Sequence, residues 1–230
     1  MLKTDILFTG YYGQQNTGDD AFVEVAAWGA NKYWNKSNVR FLAKKSHLPD
    51  VIFPVKGYPL DVRGTYALQQ KLLLNNSKAF VYAGGSTIHS ELLPGNIRLE
   101  AVKKKLRGDK LVFGAIGVSI GPFKSLRDEM AVKGYLQALD FLAVRDQASY
   151  DFVSSLNLPY NPINAFDLAA LLPNVYNYSS GEKVNNDQII IGISVCPYES
   201  LQPHLNVKQE VKRNEDVVNL IKRIDNLENV

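Results

Sequence analysis

Cysteine is almost absent. The 230 residues hold one, Cys196, so no intrachain disulfide can form, and a reducing, cytoplasmic setting is the expectation. Histidine is scarce at three, and no C-x-x-C, H-E-x-x-H or acidic metal cluster occurs, so no protein-bound metal is expected. Charge of one sign is lacking: 26 Lys and Arg against 23 Asp and Glu give a net charge of +3, too little to argue for a nucleic-acid partner. No apolar run is long enough to span a bilayer. The start, Met1-Leu2-Lys3-Thr4-Asp5-Ile6-Leu7-Phe8, does not read as a signal peptide, because Asp5 interrupts it and a glycine loop follows at once.

What is present is a globular composition, 46% hydrophobic and 21% charged, in a regular alternation. Short apolar runs at 5–9, 39–43, 79–83, 110–116, 141–144 and 189–195 read as strands. Most are continuously apolar, as strands buried on both faces are. Amphipathic segments at 20–34, 64–74, 97–107, 125–138 and 148–156 read as helices, with a last one at about 215–226. In the first, Phe22, Val25, Ala26, Gly29 and Tyr33 share a stripe that should face the sheet. The pattern predicts an α/β fold, a Rossmann-like parallel sheet flanked by helices. Residues 1–173 are expected to form this domain, 174–188 a linker rich in turn residues, and 189–230 the start of a second, incomplete Rossmann-like domain. The simpler alternative adds 189–195 to the first sheet.

The most informative stretch is Gly10-Tyr11-Tyr12-Gly13-Gln14-Gln15-Asn16-Thr17-Gly18-Asp19-Asp20-Ala21, at the first strand-to-helix turn. Open α/β sheets bind ligands at such carboxyl ends of strands. The spacing is neither G-x-G-x-x-G nor a P-loop. Asp19 and Asp20 open the helix, where carboxylates cap N–H groups and suit the dipole but repel an anion. A neutral, hydroxyl-rich ligand fits this loop better than a phosphate.

The same string resembles the opening motif of the polysaccharide pyruvyl transferases. Val81-Tyr82-Ala83-Gly84-Gly85-Ser86, Gly114-Ala115-Ile116-Gly117-Val118-Ser119-Ile120-Gly121-Pro122 and Val144-Arg145-Asp146-Gln147-Ala148-Ser149 resemble later family segments, in order, and Phe166-Asp167-Leu168-Ala169 resembles a fourth. The resemblance implies a GT-B-like architecture of two Rossmann-like halves, of which this chain holds the first and the beginning of the second. It implies transfer of pyruvate from phosphoenolpyruvate to a sugar as a ketal, in exopolysaccharide or cell-wall glycan synthesis. Phosphoenolpyruvate is then a donor substrate, and no cofactor is expected.

That chemistry needs cations for the donor's carboxylate and phosphate, a proton for its methylene carbon, and a base for the attacking hydroxyl. Arg145, at a strand tip, is the expected donor ligand, since a planar guanidinium can grip an anion with two hydrogen bonds. Gly84, Gly85, Ser86 and Thr87 offer a phosphate nest; a turn capped by Ser86 is the alternative. His89 is a candidate proton donor, although a lone histidine is more often a surface or capping residue. On the acceptor side stand Gly10, Tyr12, Gly13, Asn16 and Asp19, with Asp19 a candidate base and capping the alternative. Gly117 and Gly121 read as a sharp supporting loop, and Asp167 as a residue that holds Arg145, lines the cleft or caps a helix.

Expected partners are the small-molecule donor and a sugar or lipid-linked glycan acceptor. The basic run Lys103-Lys104-Lys105-Leu106-Arg107 is a candidate for peripheral membrane contact, a solvated helix face being the simpler reading. An exposed half-cleft would favour a homo-oligomer. Two further readings stand beside the first: a GT-B-type glycosyltransferase using a nucleotide-sugar, and a catalytically inactive glycan- or partner-binding half.

Overall fold

The computed structural model describes residues 3–14, 16–176 and 207–227, without the side chains of Thr87 and 225–227. The chain divides into two compact units, Met1–Ser179 and Ser180–Val230. The expected strand at 189–195 and most of the expected linker lie outside the described residues.

The first unit is built on one sheet. Its strands are β1 (Thr4–Thr9), β2 (Val39–Phe41), β3 (Ser77–Ile88), β4 (Val112–Ile120), β5 (Phe141–Val144) and β6 (Ile163–Asn164). They lie in the order β2-β1-β3-β4-β5-β6, and every pairing is parallel. Side-chain alternation sorts the apolar residues into two cores. Leu7, Phe80 and Tyr82 point to one face, and Ile6, Phe8, Val81 and Ala83 to the other. The first face is covered by helices α2 (Tyr66–Asn75), α3 (Ile97–Leu106), α4 (Leu126–Gln137) and α5 (Gln147–Ser154). The second is covered by α1 (Thr17–Trp34), a 3-10 turn (Leu168–Leu171) and α6 (Leu172–Tyr176). Because β2 and β3 lie on opposite sides of β1, the chain reverses its winding between β1 and β3. A crevice opens at the carboxyl ends of the strands at such a reversal.

Several boundaries differ from the sequence reading, for physical reasons. β3 does not end at Ala83. It runs through Gly84 and Gly85, at φ of 78° and 91°, and the ladder resumes with Gly85 opposite Val118 and Ile88 opposite Ile120. Glycine tolerates positive φ, so the strand bends here instead of stopping. The alternative of a turn capped by Ser86 therefore gives way to strand, and α3 begins at Ile97, where the sequence places it, capped by Asn96, whose side chain accepts from the Arg98 N–H. β4 likewise passes through Gly117 at φ 62° and reaches Ile120. The loop expected at Gly117 is a register shift inside a strand.

α1 starts at Thr17 with Asn16 as its N-cap, so Asp19 and Asp20 lie in its first turn and are not the cap. Of its expected sheet-facing stripe, Phe22, Val25 and Ala26 are buried, but Tyr33 is 67% exposed and meets Trp28 edge-on. β6 was not foreseen, being two exposed residues long. In the second unit, α7 spans Val207–Leu227, longer than expected.

Candidate functional site

A cleft of about 480 Å³ opens at the carboxyl ends of β1, β3 and β5, lined among others by Tyr11, Asn16, Asp19, Ser86, Arg145 and Asp167. Residues far apart in sequence meet here because each lies near or after the carboxyl end of a strand, and these ends share one edge of the sheet.

The β1 side is organised by Asn16. Its Oδ1 accepts from the Gly18 N–H at 3.1 Å, and its Nδ2 donates to Asp19 Oδ2 at 2.7 Å. Asp19 is buried, and that burial pushes its carboxyl up from the ordinary value of 3.8. The Asp20 charge adds to the rise, while the Asn16 hydrogen bond and the Arg145 charge oppose it. A carboxylate held in this way is a stronger base than one in water. Asp20 is half-buried, with Oδ1 lacking a hydrogen-bond partner among the described residues.

The β5 side is organised by Arg145. Its Nε donates to Ser119 Oγ at 2.7 Å and its Nη1 to Asp167 Oδ2 at 2.6 Å. Asp167 also caps the Leu168–Leu171 turn, Oδ1 accepting from the Ala169 N–H at 2.9 Å. The guanidinium is thus clamped from two sides at the wall of the cleft. Asp146 has a separate task as the cap of α5, accepting from the Ser149 N–H at 2.8 Å. Neither α1 nor α5 presents a bare N-terminus, since both are capped by side chains.

The structure divides the expected site residues. Asn16, Asp19, Gly85, Ser86, Arg145 and Asp167 come together in the cleft. The side chain of Thr87 lies outside the described residues. Gly84 is a packing position: a Cβ there would overlap the Phe22 ring. Tyr12 is buried, its hydroxyl donating to the Ala83 carbonyl at 2.7 Å and lying 3.1 Å from that of Thr9, which ties the loop to β3. Gly10 makes room for the Tyr12 ring, and the Gly13 carbonyl lies 3.2 Å from His47 Nδ1. Those three shape the loop and do not line the cleft. Gly117 leaves room for Leu168, and Gly121 precedes Pro122 in a cis peptide. His89 is half-buried just past the end of β3 and is not among the cleft residues.

Two contributors were missed. Tyr11 lines the cleft and is 57% exposed. With two adjacent tyrosines, burial of one turns the other outward, and that signal was in the sequence. Ser119 clamps Arg145 from the neighbouring strand, which only the register of β4 against β5 reveals.

A family model described as polysaccharide pyruvyl transferase matches residues 16–228. The chain belongs to the polysaccharide pyruvyl transferase family. No curated protein and no solved structure matches it. The matched span begins at Asn16 and contains the cleft residues Asp19, Ser86, Arg145 and Asp167. The family is a transferase family, and a glycan acceptor suits it. Among the described residues no helix is long and apolar enough to cross a membrane. The basic run is largely neutralised on the surface: Lys103 pairs with Glu100 at 3.0 Å, Lys104 with Asp109 at 3.0 Å and Lys105 with Asp140 at 2.7 Å.

Proposed function

We propose that this family member transfers pyruvate from phosphoenolpyruvate to two hydroxyls of a glycan precursor, and that the Asp19–Arg145 cleft holds the reacting groups. One observation carries the reading: a clamped guanidinium and a carboxyl of raised basicity face the same cleft. In the reaction one hydroxyl adds to C2 of the donor while C3 gains a proton. The second hydroxyl then replaces phosphate at C2, leaving a ketal and inorganic phosphate. Arg145 suits the donor's carboxylate or phosphate, with Ser86 and the backbone at Gly85 beside it. Asp19 suits the acceptor, taking the proton of the attacking hydroxyl, and Asn16 orients it. The clamp on Arg145 keeps this cation in place before the donor arrives, which lowers the ordering cost of binding.

Calorimetric titration of the chain with phosphoenolpyruvate tests the reading, with a uridine diphosphate sugar as the comparison. Phosphoenolpyruvate is expected to bind and the nucleotide-sugar not to. Arg145→Ala should weaken donor binding by about 10- to 100-fold, the equivalent of one charge-assisted contact of about 1.5–3 kcal/mol. Binding of the nucleotide-sugar alone would overturn the reading in favour of glycosyl transfer.

A further inference from the structure

The two faces of the sheet are covered unequally. Four helices lie on the first face, whereas α1, the 3-10 turn and α6 lie on the second. At the amino ends of β3, β4 and β5 the second face stays partly open: Ala79 and Phe141 are half-buried and Val112 is 49% exposed. A hollow of about 320 Å³ lies over these three residues, lined also by Ile6, Trp34, Lys36 and Lys78. A second hollow, of about 260 Å³, follows α1 past Trp28, Tyr33 and Ile116. Trp34 lines both, so the two form one apolar strip.

Aromatic rings and cations rim this strip. α1 ends at Trp34, and Asn35 takes the left-handed conformation, φ 51°, that closes a helix. The last turn thereby leaves Tyr33 67% and Trp34 40% exposed, with Trp34 edge-on to Phe141 at 6.4 Å. The Lys32 ammonium stands 4.7 Å from the Trp28 ring and 5.5 Å from that of Tyr33. Neither Lys32 nor Lys36 pairs with a carboxylate among the described residues. Lys78 pairs with Asp5 at 2.7 Å, and Asp5 is the one carboxylate among the described residues that line either hollow. The contrast with the 103–107 run is direct, since each of its three lysines has an acidic partner. Exposed apolar patches of this kind mark interaction sites, and unpaired cations at the rim call for an anionic partner.

We propose that this strip seats the first unit on an anionic lipid bilayer, with Tyr33 and Trp34 entering the headgroup layer and Lys32 and Lys36 meeting lipid phosphates. A bilayer matches both halves of the patch, being anionic at the surface and apolar beneath. Tyrosine and tryptophan favour that depth because each has an apolar ring and one polar group that stays wet. Long lysine stems lie along apolar surface while the ammonium remains among the headgroups. Each lysine near an anionic leaflet strengthens binding by about fivefold. The reacting cleft opens at the carboxyl ends of the strands, whereas Trp34, Val112 and Phe141 lie at the amino ends, so docking leaves the cleft open. The inference stands apart from the pyruvyl-transfer reading, since nothing in it depends on which group the cleft transfers.

The test is sedimentation of the whole chain with vesicles of phosphatidylcholine alone and of phosphatidylcholine with about 30% phosphatidylglycerol. The chain is expected to bind the anionic vesicles at least about tenfold more tightly, and raising the salt from about 0.1 M to about 0.5 M should release it. Tryptophan emission should shift to the blue on binding. Trp34→Ala should remove that shift, because the other tryptophan, Trp28, is buried. Lys32→Glu with Lys36→Glu should weaken binding by about 25-fold or more, from two lysines at about fivefold each. Lys71→Glu with Lys124→Glu changes the net charge equally at two exposed lysines outside the strip, and should alter binding by about twofold at most. Unchanged urea midpoints show that the variants keep the fold; if Trp34→Ala does not, the two lysine pairs decide the matter. Equal binding to both vesicle types, binding to neither, or equal losses from the two lysine pairs would overturn the proposal. A dimer that Trp34→Ala dissociates, without vesicle binding, would overturn it in favour of a second copy of the chain on this face.

Discussion

Gly84→Ala should destabilise the first unit much more than Gly85→Ala, although the two glycines are adjacent and share a backbone type. Both lie at positive φ, 78° and 91°, so alanine at either costs about 1–2 kcal/mol of backbone strain. They differ in what a new Cβ meets. At Gly85 the nearest heavy atom is the Tyr82 hydroxyl oxygen at 3.8 Å, an ordinary contact. At Gly84 the Cβ would overlap the Phe22 ring, which is itself buried between α1 and the sheet. Overpacking of that kind adds about 1–3 kcal/mol. Gly85→Ala should therefore cost about 1–2 kcal/mol and Gly84→Ala about 2–5 kcal/mol. With a urea dependence of about 2 kcal/mol per molar, the midpoints should fall by about 0.5–1 M and about 1–2.5 M. Near-ultraviolet circular dichroism, which follows the buried aromatic residues, is a suitable signal. Equal shifts for the two variants would refute the reasoning, because they would show that Phe22 moves aside without cost. Phe22 also lines the reacting cleft, so Gly84→Ala should disturb donor binding as well as stability.

Three further outcomes are expected. Arg145→Lys should weaken phosphoenolpyruvate binding by about tenfold or more, because an ammonium cannot keep the Ser119 and Asp167 clamp while also gripping the donor bidentately; titration calorimetry checks this. Asp19→Asn should abolish transfer yet stabilise the fold at neutral pH. A carboxyl with a raised folded pKa holds its proton longer than the unfolded chain does, so its penalty grows as pH rises above 3.8 and disappears below it; urea midpoints at pH 3 and pH 7 (roughly the two sides of that transition) should show the variant's advantage only at the higher pH. Tyr12→Phe should cost about 1–3 kcal/mol in the same unfolding assay, since the Ala83 carbonyl would lose the hydroxyl that ties the loop to β3.

Most of the sheet was legible in the sequence because parallel strands buried on both faces must be apolar throughout. The 141–144 run, for example, has the bounds of β5. The strand extensions were not legible. A glycine pair after an apolar run reads as a turn, and only the pairing of Gly85 with Val118 shows that the ladder continues past it. β6 was invisible because two exposed residues carry no periodic signal. At the site, Asn16, Asp19, Arg145 and Asp167 were all legible, because polar residues at the ends of apolar runs stand out. What the sequence could not assign was the division of labour within a motif. Tyr12 and Tyr11 are the same residue type one position apart, and the loop after β1 sends one into the core, where its hydroxyl bonds the Ala83 carbonyl, and leaves the other in the cleft. Ser119 lay hidden because its role depends on register between two strands, a property that neither strand's own sequence encodes.

The central claim is that the donor is held by the clamped arginine at the β1–β3 crevice. The most direct measurement is a map of amide and arginine Nε shifts during titration with phosphoenolpyruvate. The expected map has its largest changes at Gly18, Gly85, Ser86, the Arg145 side chain and Ala169, all fading together in Arg145→Ala. Saturable shifts that cluster elsewhere in the chain and survive that substitution would contradict the account.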